Sequence, residues 1–203
     1  MLEKVRNYLD ALDVNALSTE RKAVLQPLID YVQNKLDENL DVKLNFICTH
    51  NSRRSQFGQI WAKATAEYYN LPISTFSGGV EVTAFHPNAL NTIRKAGFEV
   101  TQSEKSSNPE QHIFITEGKK PLITFSKKYD DPANPTEGFA AIMTCSHANE
   151  TCPFIAGAEK RIPMTYEDPK EFDGTSQEEQ KYEERSRQIA TEMKYVFSKI
   201  KTA

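Results

Sequence analysis

Seven residues constrain this chain more than any others: Val42-Lys43-Leu44-Asn45-Phe46-Ile47-Cys48 alternates apolar and polar side chains and then turns apolar. Alternation with period two is the mark of a strand. Residues 49–54 are polar and carry no long apolar side chain, and from Ser55 the positions Phe57, Ile60, Trp61, Ala64 and Tyr68 recur at helical spacing. Strand, polar loop and helix open a βα unit. The pattern continues with a short strand at 73–76, a Ser77-Gly78-Gly79 turn, and a helix that starts with Pro87 at its first position and stops at Gly97. Residues 113–116 and 122–126 flank Glu117-Gly118-Lys119-Lys120 as a hairpin, and 139–144 and 161–166 read as further strands. Ser176 with Glu179 forms a capping box for a last helix bearing Tyr182, Ile189, Met193, Val196 and Ile200. Strands alternating with helices predict an α/β fold, a parallel sheet flanked by helices.

Ahead of this frame, Val5, Tyr8, Leu9 and Leu12, then Leu25, Leu28, Ile29, Val32 and Leu36, repeat at helical spacing, with Ser18 as an N-cap and Pro27 as a start or bend of the second helix. The expected organisation is an N-terminal helical extension over 1–41 packed on the core, then a catalytic domain over 42–203 with a hairpin insertion at about 112–136. A net charge of −3 argues against a nucleic-acid partner. Charged residues interrupt the opening segment and no apolar run reaches membrane length, so a cytoplasmic protein without a membrane partner is expected. Three cysteines, an odd number, do not suit a disulfide framework. They are core residues or reactive thiols.

The chemistry concentrates in Cys48-Thr49-His50-Asn51-Ser52-Arg53-Arg54-Ser55. A short loop entering a helix turns several backbone N–H groups toward one point, and the helix N-terminus adds partial positive charge. A tetrahedral dianion fits such a cradle. Arg54 can hold two of its oxygens with a planar fork, and the same field favours the thiolate of Cys48. Ser55 can donate to that sulfur, and Asn51 can brace the loop through its backbone. Thr49, His50, Asn51, Ser52, Arg53, Arg54 and Ser55 are therefore the expected oxyanion-binding set.

With these residues in place the sequence resembles the low-molecular-weight protein tyrosine phosphatase superfamily, from about Val42 onward. Ser77-Gly78-Gly79 with His86-Pro87-Asn88-Ala89-Leu90 looks like a second region of that superfamily, and Asp168-Pro169 matches its general-acid loop. Cys145-Ser146-His147-Ala148 followed by Cys152-Pro153 is similar to the two-cysteine segment of thioredoxin-coupled arsenate reductases. The resemblance implies that Cys48 attacks a small oxyanion, arsenate or phosphate, or a phosphoester, with Asp168 as the acid. For arsenate it implies a Cys48, Cys145, Cys152 disulfide relay reduced by thioredoxin.

The sequence departs from the pattern at four points. His50 stands where glycine is usual, Arg53 where cysteine is frequent, and Lys170 where phosphatases often carry tyrosine. Gln59 replaces the acidic residue expected in reductases with a potassium site. No metal and no cofactor is expected; zinc on Cys145, His147 and Cys152 lacks an evident fourth ligand. Asp130-Asp131-Pro132 is a second Asp-Pro, read as a turn. Two alternatives to a reductase stay open. One is a tyrosine phosphatase or other phosphoester hydrolase acting through a Cys48 phosphocysteine. The other is a thiol sensor or interaction module.

Overall fold

The computed structural model describes residues 1–151 and 154–201. Helices α1 (Glu3–Asp10) and α2 (Thr19–Asp37) precede β1 (Val42–Cys48), α3 (Arg54–Tyr68), β2 (Ile73–Gly79), α4 (Pro87–Lys95) and β3 (Glu99–Gln102). Then follow β4 (Gln111–Phe114), β5 (Leu122–Thr124), β6 (Phe139–Met143), α5 (Ser146–Thr151), β7 (Ala158–Pro163), a 3-10 turn (Pro169–Phe172) and α6 (Glu178–Ser198). Strands β2-β1-β6-β7 form one parallel sheet, and β3-β4-β5 form a separate antiparallel sheet. The expected fold class holds. No helix among the described residues is long and apolar enough to cross a membrane.

The alternation along β1 divides its side chains between two cores. Val42, Leu44 and Phe46 join Phe57, Ile60 and Trp61 of α3, Val196 and Phe197 of α6, and Val5, Leu9, Leu25, Leu28 and Val32 of the first two helices. Ile47 lies in a smaller cluster with Phe139, Ala141, Met143, Cys48, Cys145 and Ala148. The larger core takes in the N-terminal helices through specific contacts. Tyr8 stacks on Trp61 with ring centroids 4.9 Å apart, and Arg21 grips the fully buried Glu192 carboxylate with two bonds of 2.8 Å. A buried carboxylate needs such pairing, because an uncompensated charge there costs about 3–5 kcal/mol.

Five local expectations need correction. Helix α2 runs through Pro27 rather than starting there, capped by Ser18, whose hydroxyl accepts from the Arg21 N–H at 3.1 Å. Ser77-Gly78-Gly79 is not a turn but the end of β2, paired with Phe46, Ile47 and Cys48. The glycines serve close approach: a Cβ on Gly78 would fall 2.2 Å from the Tyr129 Cα, and one on Gly79 would fall 2.7 Å from the Asn51 nitrogen. The expected hairpin gains a third strand, β3, whose exposed polar residues hide its period. Strand β7 lies earlier than 161–166, since it is a sheet edge and tolerates Glu159 and Lys160 facing water. Ser176 does not cap α6: Gln177 holds the N-cap position with no side-chain bond, and Glu178 instead accepts from the Gly174 N–H at 2.6 Å. By contrast, Pro87 opens α4, and Gly97 at φ +104° follows its C-cap, as expected.

Candidate active site

Strand β1 delivers Cys48, 4% exposed, to the C-terminal edge of the parallel sheet. Ligands in open parallel sheets bind at such edges. The following loop is held from outside through its carbonyls. The Cys48 and Thr49 oxygens accept from the Val80 and Glu81 N–H groups at 3.2 and 2.8 Å. The His50 oxygen takes the hydroxyls of Ser126 at 2.9 Å and Thr83 at 3.2 Å, and the Asn51 oxygen takes the Gln56 amide at 3.0 Å. The Ser52 and Arg53 oxygens accept from His86 and Phe57 at 3.0 and 2.9 Å. A planar peptide that points its C=O outward points its N–H inward. Among the described residues, no protein acceptor takes the N–H groups of residues 49–54. Convergent, unspent N–H groups at a helix N-terminus form an anion cradle.

Side chains finish the cradle. The Asn51 amide donates to the Ser55 hydroxyl at 2.8 Å, while its oxygen accepts from the Lys127 N–H at 3.0 Å. The Ser55 hydroxyl lies 3.0 Å from Cys48 Sγ, and toward a thiolate it can only donate. Asn51 thus braces the loop through Ser55 and Lys127, not through its own loop's backbone. The left-handed position is Asn51 at φ +46°, not residue 50, so histidine is accommodated there without strain.

Arg54 donates to the Tyr166 carbonyl at 2.9 Å and forms an ion pair with Asp168, while its Nε is buried without a partner. Two sequence candidates 114 residues apart therefore meet. Tyr166 anchors this arrangement, since its hydroxyl donates to Glu192 at 2.7 Å. Burial and the Glu192 charge hold that hydroxyl well above the usual tyrosine range. Asp168 also accepts from the Lys170 N–H at 3.1 Å. Asp131 lies in a turn, its carboxylate accepting from the Ala133 N–H at 2.9 Å.

The Arg53 side chain leaves the cradle. Its Nε donates to the Tyr182 hydroxyl at 2.6 Å, and its Nη2 pairs with Asp173 at 3.0 Å. His86 caps α4 through the Asn88 N–H at 3.3 Å; burial, then the Arg53 charge, lower its pKa, with Asp173 opposing. Residues His50, Ser52, Thr83, Ala84, His86 and Lys170 line a 290 Å³ cleft beside the loop.

Cys145 follows β6 and is 1% exposed. Its sulfur accepts from the Ala148 N–H at 3.3 Å and lies 3.5 Å from the Thr49 hydroxyl, one residue along from Cys48. Both thiols are free. Cys152 lies outside the described residues.

Curated relatives and solved structures are similar to this chain. The arsenate reductase of Bacillus licheniformis is 28% identical over 142 residues, covering 70% of this chain and 84% of that protein. That of Halalkalibacterium halodurans is 25% identical over 133 residues, covering 66% and 78%. A low-molecular-weight phosphotyrosine phosphatase from Vibrio cholerae superposes with a TM-score of 0.52 at 12% identity, covering 77% of this chain and 94% of that one. The chain is similar in sequence to arsenate reductases and shares the fold of low-molecular-weight phosphatases. An arsenate reductase in a phosphate-binding state gives a TM-score of 0.51 at 20% identity, covering 79% of this chain and 99% of that one. No protein-family model matches the chain.

Further residues surround the loop. Gln59 accepts the Ser77 hydroxyl proton on its carbonyl oxygen at 2.6 Å, while the Thr124 hydroxyl donates to Gln56. Gln59 offers no carboxylate, and among the described residues no group of three or more His, Cys, Asp or Glu is placed to hold a metal ion. Lys127, 4% exposed, lies with its ammonium 4.8 Å from the Phe125 ring centroid. Burial lowers its pKa to about 8, with the Asp131 charge opposing. Sequence reasoning missed Gln56, Ser126 and Lys127, which reach the loop only through the tertiary fold.

Proposed function

We propose that the chain is an arsenate reductase in which Cys48 is the nucleophile, Asp168 the acid, and Cys145 and Cys152 the relay to thioredoxin. The observation that carries this over simple hydrolysis is the second buried thiol: Cys145 Sγ sits 3.5 Å from the hydroxyl of Thr49, within the cradle's own wall. A phosphatase needs Cys48 alone. An arriving oxyanion replaces Asp168 at the Arg54 fork. The Cys48 thiolate then bonds to arsenic as one As–O bond breaks, and the departing hydroxide leaves as water with the Asp168 proton. The Cys145 thiolate attacks Cys48 Sγ. The S–As bond breaks with its electron pair staying on arsenic, which leaves as arsenite. Cys152 next attacks Cys145, freeing the Cys48 thiolate, and a thioredoxin dithiol reduces the Cys145–Cys152 disulfide. Such a cycle needs a reducing compartment, which supports the cytoplasm.

The second reading, a phosphoester hydrolase, is supported by the cradle and Asp168 alone. The residue after Asp168-Pro169 is Lys170, which offers no aromatic face to a phenyl leaving group at the cleft. The deciding assay is arsenate-dependent NADPH consumption with thioredoxin and thioredoxin reductase. The reductase reading expects consumption that stops in Cys145→Ser. Absence of consumption, with aryl phosphate turnover that survives Cys145→Ser, moves the assignment to hydrolysis.

A further inference from the structure

The antiparallel insertion reaches the loop through a strap, residues 125–129, that runs between the edge of β2 and the anion loop. Its backbone is fixed to β2: Gly79 N–H donates to the Lys127 oxygen at 2.8 Å, and Tyr129 N–H donates to the Gly79 oxygen at 2.9 Å. From that base the strap grips the loop at three points. The Ser126 hydroxyl donates to the His50 oxygen and accepts from the Thr83 N–H, each at 2.9 Å. Lys127 N–H donates to the Asn51 side chain at 3.0 Å. Gln56 bridges the Asn51 and Phe125 carbonyls at 3.0 and 3.1 Å. Ser126 is itself clamped on both backbone groups by one side chain. Asn108 accepts from its N–H at 3.1 Å and donates to its oxygen at 2.8 Å.

The loop's chemistry depends on which way its peptides face. Holding the His50 oxygen outward directs the Asn51 N–H inward, and holding the Asn51 oxygen outward does the same for Ser52. Both carbonyls are fixed by the strap or by a residue that bridges to it.

We propose that Ser126 and Asn108 are positioning residues: the strap aims the Asn51 and Ser52 N–H groups at the bound oxyanion, so that the insertion is part of the anion site. This rests on the reading of the Cys48 loop as an oxyanion cradle. Neither side chain touches substrate.

The test is protection of Cys48 from iodoacetamide by inorganic phosphate, in the full chain. Ser126→Ala should raise the phosphate concentration needed for half-protection about five- to tenfold, the worth of one or two hydrogen bonds. Ser126→Thr, which keeps the hydroxyl, should restore it. Asn108→Ala should shift it in the same direction, and it serves alone should Ser126→Ala fail to fold. Half-protection at the wild-type phosphate concentration in the folded variants overturns the strap's role while leaving the cradle intact. Failure of phosphate to protect wild-type Cys48 overturns the cradle reading and the strap with it.

Discussion

The two described cysteines sit in contrasting surroundings. Around Cys48, every carbonyl from residue 48 to 53 is tied to a neighbouring segment, and the sulfur lies 3.0 Å from a hydroxyl that Asn51 also holds. Cys145 instead precedes a six-residue helix. That helix is held by the Ala148 N–H on its sulfur, the Asn149 N–H on its carbonyl, and an Arg161 bond to the Asn149 oxygen. A nucleophile that must meet a tetrahedral anion gains from a rigid cradle. A thiol that must serve two partners in turn gains from an element that can open. On the proposed cycle, Cys145 meets Cys48 first and Cys152 second. In a continued helix the Cα atoms of residues 145 and 152 would be about 10.5 Å apart, against the roughly 4.4–6.8 Å that a disulfide tolerates.

Breaking the rigid side has the largest expected effect. Asp168→Asn should slow the leaving-group step by roughly 10²–10⁴-fold. Asp131→Asn should leave it near the wild-type rate, because its carboxylate serves a turn. Rapid-quench measurement of the first turnover reads both, and a reversal of the two effects would place the acid elsewhere.

The Cys145 side is tested by hydrogen exchange. Amides of α5 should lose protection when the protein is oxidised, while those of α3 and the strap keep theirs. Equal protection across α5 in both forms, with the disulfide verified by mass, removes the proposed opening.

The smallest effect sharpens the picture beneath the loop. Below pH 8 both folded and unfolded chains carry the Lys127 proton, so the cost of burying that charge is complete. Between about 8 and 10.5 the folded chain sheds the proton first, and stability rises with pH. Lys127→Met should therefore stabilise the protein at pH 7 by up to about 3 kcal/mol, with the gain fading toward pH 10.5. Denaturant unfolding at several pH values checks this, and a gain that does not change with pH would assign it to packing alone.

The sequence carried the parts of the site that local pattern encodes. Strand β1, its loop and α3 announce themselves by a change of hydrophobic period, and α4 by Pro87 and Gly97. Arg54 was legible in the loop itself and Asp168 only through the family resemblance, while their ion pair was legible in neither, since nothing local links residues so far apart. The strap stayed hidden for the same reason: Ser126 reaches His50 across 76 residues, and a serine in a loop looks like any other. The Gly78-Gly79 pair misled because glycine marks close approach as readily as it marks a turn.

The central claim, that electrons reach arsenate from three cysteines acting in order, is tested most directly by thiol mapping after one turnover. Reduced protein is mixed with one equivalent of arsenate, quenched in acid and alkylated, and its peptides are mapped by mass. The account predicts arsenite in solution, a Cys145–Cys152 disulfide and an alkylated Cys48. Alkylation of all three cysteines, with no arsenite formed, would contradict it.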